Sequence, residues 1–69
     1  SWEDKCIFAL KEIGVGYSSD VAATINKYDP SINPKRLREA VSFYLSKLLK
    51  ENHIKKAGQT GRKYKFSLK

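Results

Sequence analysis

Among its 69 residues the chain has one cysteine, one histidine, two prolines and no methionine. With Cys6 alone, no internal disulfide can form. A lone cysteine fits a reducing compartment. Cys6 and His53 together fall short of the four ligands a structural zinc needs, so no metal site is expected. Cys6 reads instead as a small buried apolar residue. No apolar run approaches the roughly 18 residues of a membrane span, and no charged-then-apolar leader opens the chain. These features predict an intracellular protein with no membrane association. Repeats and low-complexity segments are missing too. So are phosphate-loop and metal-ligand spacings, and His53 has no obvious carboxylate or cysteine partner. No catalysis, cofactor or small-molecule substrate is therefore expected. The length points to one small domain, which buries a limited fraction of its surface.

Charge is abundant and unevenly placed. The net charge is +7. Residues 1–34 hold three lysines against five carboxylates, a balance of −2. Residues 35–69 hold eleven Lys and Arg against Glu39 and Glu51, a balance of +9. A half-chain so one-sided is the electrostatic footprint of a polyanion binder. The competing explanation is a well-solvated basic surface.

The hydrophobic pattern predicts three helices and a hairpin. Over residues 2–13, Trp2, Cys6, Leu10 and Ile13 fall on one helical face, widened by Ile7 and Ala9. Gly14 stops this helix. Ser18, Ser19 and Asp20 read as the next helix start, with a hydroxyl cap and an acid at the positive end of the dipole. This helix spans about 19–28, with Val21, Ala22, Ile25 and Tyr28 inward. Asn33 and Pro34 mark a third start, as cap and first helical residue. From there to about residue 51, Leu37, Val41, Tyr44, Leu45 and Leu48 form an apolar face, and Asn52 suits a left-handed stop. Strands are expected over about 54–57 and 63–68, joined by a turn bounded by Gly58 and Gly61. In the second strand Tyr64, Phe66 and Leu68 alternate with Lys63, Lys65 and Ser67, as a half-buried strand does. The fold class is thus mainly α with a small β-hairpin, in the order α-α-α-β-β.

The stretches SSDVAATI, LREAVSFYLSKLLKENHI and KKAGQTGRKYKFSL, in that order, resemble the second helix, third helix and wing of the winged-helix family. The likeness spans nearly the whole chain. Within the family the pattern is most similar to the globular domain of linker histones. There a serine-opened second helix, a Lys- and Leu-rich third helix and a glycine-rich wing ending in F-x-L occur together. This wing has two glycines rather than three. The resemblance implies a three-helix winged helix-turn-helix that binds double-stranded DNA in chromatin or transcription regulation, nuclear in a eukaryote.

On that reading the outward face of the third helix enters the major groove. It carries Lys35, Arg36, Glu39, Phe43, Ser46, Lys47 and Lys50, with Ser42 at its edge. Arg36 suits a guanine edge, while Lys35 and Lys47 suit phosphates. Ser42 and Ser46 can bond to either without bulk. Phe43 can touch a thymine methyl. In the wing, Lys56, Arg62, Lys63 and Lys65 meet the DNA backbone, and Gln59 and Thr60 meet backbone or a minor-groove edge. Ser18, with the amides of its helix start, is placed for one more phosphate. The alternative is a protein-interaction module, with Phe8 and Phe43 as aromatic anchors. For the lysines, the plain alternative is a hairpin whose charges discourage edge aggregation.

Overall fold

The computed structural model describes residues 1–69. The chain forms α1 (Trp2–Ile13), β1 (Val15–Gly16), α2 (Ser18–Tyr28), α3 (Pro34–Lys50), β2 (Ile54–Thr60) and β3 (Lys63–Leu68). It is mainly helical, with one antiparallel sheet of strand order β1-β3-β2. The sheet has three strands, not the two of the expected hairpin. Val15 pairs with Ser67 and Gly16 with Phe66. A two-residue strand carries no periodicity of its own, so only the distant partner strand defines it.

Local chemistry sets the helix ends. The Ser1 hydroxyl accepts from the Asp4 amide at 3.2 Å. Gly14, at φ 79°, ends α1 in a conformation that costs other residues steric strain. Asn33 Oδ1 accepts from the Lys35 and Arg36 amides at 2.9 and 3.2 Å, ahead of Pro34 at the first helical position. Asn52, at φ 64°, closes α3. The start of α2 differs from expectation. Ser18 lies inside the helix, and Tyr17 is the capping residue. Its amide donates to Asp20 Oδ2 at 2.9 Å, so the carboxylate replaces the expected serine hydroxyl.

The core lies where the three helices meet the sheet. Cys6, Ala9 and Leu10 of α1 join Val21, Ala22 and Ile25 of α2, and Leu37, Val41, Leu45 and Leu48 of α3. Ile54 and Phe66 close it from the sheet. Burying each large aliphatic side chain stabilises by roughly 1.5–3 kcal/mol. Tyr44, Tyr64 and Leu68 pack at the edge of this cluster.

Two expected orientations are reversed. Tyr28 is 55% exposed rather than inward. Its ring meets Phe8 edge-on at 5.1 Å, and its hydroxyl donates to Glu12 at 2.6 Å, so both ends have partners outside the core. Ser67, expected outward, is 7% exposed. It sits in the central strand between Val15 and Lys55, which cover it from both sides.

The hairpin is longer than its sequence suggests. The register jumps between Lys56 and Gly58, leaving Ala57 as the extra residue of a bulge. Pairing then resumes through Thr60 and Lys63. The turn is therefore Gly61-Arg62 rather than the span from Gly58 to Gly61. Only Gly61, at φ 61°, has positive φ there, the pattern of a two-residue type II′ turn.

Candidate nucleic-acid interface

The start of α2, the middle of α3 and the end of the hairpin enclose a cleft of about 250 Å³. Ser18, Ser19, Ser42 and Ser46 line it with Arg62 and Lys63, over a floor that includes Leu45 and Phe66. Five residues singled out in the sequence thus converge: Ser18, Ser42, Ser46, Arg62 and Lys63. The spacing explains how. Ser42 and Ser46 are one turn apart, on the flank of α3 that looks toward the hairpin. The two-residue turn delivers Arg62 and Lys63 to the same place. Four hydroxyls and two cations around an opening suit an anionic, hydrogen-bonding ligand.

Arg36, Glu39 and Phe43 lie on the other flank of α3. With Trp2, Ala40 and Tyr44 they line a separate, more open depression. Phe43 is 63% exposed. Its ring contacts Tyr44 edge-on at 5.0 Å. Phe8, 50% exposed, is in neither place; it borders a small hollow with Lys5, Ile25, Tyr28 and Asp29. The two aromatic anchors of the alternative reading therefore face different surroundings.

Lys47 is set apart from the other cations of α3. Its ammonium lies 3.4 Å from Glu3 and 5.9 Å from the centre of the Tyr44 ring. It is the sole ion-paired Lys or Arg after Pro34; the remaining pairs are Ser1–Asp4, Lys27–Glu12 and His53–Glu51. Ten cations in the C-terminal half, Lys35, Arg36 and Lys50 among them, have no carboxylate within 4.0 Å.

In the hairpin several side chains already have partners. Lys56 opposes Phe66 and places its ammonium 4.3 Å from the centre of the Tyr64 ring, so it lies along the aromatic face of the sheet. Lys65 lies over the Tyr17 ring at 5.5 Å. Both ammonium groups gain a cation–π contact, worth about 0.5–1 kcal/mol at exposed sites, and neither charge is neutralised by it. Gln59 donates to the Gly61 carbonyl at 2.9 Å and so braces the turn. Thr60 accepts from the Tyr17 hydroxyl at 3.1 Å.

Tyr17 is the residue that sequence reasoning missed. It caps α2, borders the cleft, bonds to Thr60 and stacks under Lys65. Its contacts cross 43 residues of chain. Its one local signal is a tyrosine between Gly16 and a serine-opened helix.

No protein-family model, no curated protein and no solved structure matches this chain. No helix is long and apolar enough to cross a membrane.

Proposed function

We propose that this chain is a winged-helix domain that binds double-stranded DNA, with α3 in the major groove and the β2–β3 hairpin as a wing on the adjacent backbone. One observation carries the reading. Of the eleven cations after Pro34, ten have no acidic partner within 4.0 Å. Unneutralised like charges repel one another within a compact domain, and a phosphate backbone relieves that repulsion on binding. The hydroxyl-lined cleft between α3 and the wing adds support, since Ser18, Ser42, Ser46, Arg62 and Lys63 suit phosphate oxygens. Within this reading Lys35, Lys50 and the wing cations make phosphate contacts. Lys47 contributes less, because Glu3 already satisfies it. The rival reading, a protein-interaction module, asks Phe8 and Phe43 to act together. Their separate surroundings weigh against a single patch built on both.

The test is duplex binding followed across salt concentration. With about five phosphate contacts, log K falls against log salt with a slope of roughly −4 to −5. Replacing Arg36 and Lys63 by alanine weakens binding and flattens that slope by about 1, since of the two only Lys63 meets a phosphate. Phe8→Ala leaves binding unchanged. Amide shifts on adding a short duplex concentrate in residues 35–50 and 55–65. Affinity without salt dependence refutes the mechanism, and so does loss of duplex binding with Phe8→Ala alone.

A further inference from the structure

The exposed face of α3 holds two residues that phosphate binding does not explain. Phe43 is 63% exposed. An aromatic ring left in water forgoes about 1.5–3 kcal/mol of burial. Glu39, one turn earlier, takes no part in any ion pair although Lys35 and Arg36 are close in sequence. A carboxylate on a helix that meets DNA repels phosphate. Both residues work against a purely electrostatic binder, and they stand side by side, lining one depression with Trp2, Arg36, Ala40 and Tyr44.

The geometry points to Phe43 and Glu39 as a base-reading pair, with Phe43 packing on a thymine methyl and Glu39 accepting from a cytosine amine. This rests on the duplex-binding reading above and deepens it. The major groove offers few partners for such side chains. The C5 methyl of thymine is its apolar feature, and the N4 amine of cytosine is a donor that suits a carboxylate. Residues i and i+4 lie about 6 Å apart along a helix, and bases on one strand rise by about 3.4 Å per step. The pair therefore spans one or two base steps. Tyr44 meets the Phe43 ring edge-on at 5.0 Å and restricts its swing, which lowers the entropy cost of holding the ring against a methyl. A protein anchor is the other use of an exposed phenylalanine. Interface cores are depleted of glutamate, whereas Glu39 lines this depression. The domain is thus sequence-selective, preferring duplexes with thymine and cytosine one or two steps apart on one strand.

The experiment selects bound duplexes from a random-sequence pool with the whole chain. It then measures affinity for the selected duplex with the thymine replaced by uracil, which removes only the methyl. Expected is an enriched thymine–cytosine pair and about a fourfold loss with uracil, the weight of one methyl-sized group. In Phe43→Ala the thymine and uracil duplexes bind equally, and the salt slope is kept. Glu39→Gln, which can accept or donate, relaxes the preference at the cytosine. Selection of no pattern, or equal thymine and uracil binding by the unaltered chain, overturns the base-reading pair and leaves electrostatic duplex binding standing. No salt-dependent binding to any duplex overturns both.

Discussion

The end of the hairpin has no hydrophobic core beneath it: Gly58 through Lys63 are all exposed. Its position relies on Tyr17, which gives two separable contacts. One is the hydroxyl bond to Thr60 at 3.1 Å, and the other is the ring under Lys65 at 5.5 Å. A hydrogen bond between exposed neutral groups contributes about 0.5–1 kcal/mol. An exposed cation–π contact contributes a similar amount. Tyr17→Phe removes the first and keeps the second; Tyr17→Leu removes both. Local opening of the tip, read by hydrogen exchange at Gln59, Thr60, Tyr64 and Lys65, accelerates about 2- to 5-fold in Tyr17→Phe. It accelerates about 5- to 30-fold in Tyr17→Leu. Amides of Val41 and Leu45 keep their protection, because the core is untouched. Thr60→Val supplies the closing arm of a double-mutant cycle. It loses the same bond, so Tyr17→Phe with Thr60→Val costs no more than either change alone. Additive losses in the double variant would show that the two hydroxyls do not bond, and the account of how the tip is held would fall.

Three further outcomes follow from the fold. Burial first, and the nearby Glu3 carboxylate second, push the Cys6 thiol up from 9.0 to about 11, favouring the protonated form in the folded chain. That contribution is complete below pH 9.0 and lost as pH rises toward about 11; it amounts to roughly 3 kcal/mol. Denaturant unfolding across this range tests it, because the alkaline decline should be shallower in Cys6→Ala, and parallel declines contradict it. At Gly16 an added Cβ meets Ile13 Cδ1 at 2.7 Å and Asp20 Cβ at 3.0 Å; Gly16→Ala accordingly destabilises by about 1–3 kcal/mol in thermal or urea unfolding. Asn33→Ala removes the cap of α3 and costs about 0.5–2 kcal/mol, whereas Asn33→Asp keeps most of that stability, since its carboxylate accepts the same two amides.

Elements whose signals are local were legible in the sequence. Asn33-Pro34 announces α3 because a short polar cap and a pre-set φ act within one turn. The stripe Leu37, Val41, Leu45 and Leu48 announces its buried face because helical spacing is fixed. What escaped depends on pairing across long stretches of chain. Strand β1 exists because Ser67 and Phe66 lie beside it, and the bulge at Ala57 because β2 must stay in register with β3 on both sides of it. The same holds for the candidate site. Outward residues of α3 could be placed on a wheel, but the wheel did not show that Ser42 and Ser46 share a cleft with Arg62 while Phe43 and Arg36 turn to Trp2. Nor could it show Lys47 engaged with Glu3, a pairing across 44 positions. The cost of misreading was greatest at Tyr17, whose contacts with Thr60 and Lys65 join it to residues that no local pattern names.

The segment from Val15 to Ser18 ties these parts together. It contributes a sheet strand, the cap of α2 and one wall of the cleft within four residues. The root of the hairpin is clamped by β1 through Val15 and Gly16, and its tip is held by Tyr17 directly after them. The sheet therefore fixes the direction of the hairpin relative to α2 and α3 before any ligand arrives. A preset hairpin lowers the ordering cost that binding would otherwise carry. This divides substitutions into two kinds. Changes at Gly16 disturb strand pairing and the α2 cap together, so stability and the geometry of the cleft decline in step. Changes at Arg62 or Lys63 leave the clamp intact, so they alter the attraction for an anion and not the fold. If Arg62→Ala destabilised the domain as much as Gly16→Ala, the tip would be part of the structural core, and its cations would not be free for a ligand.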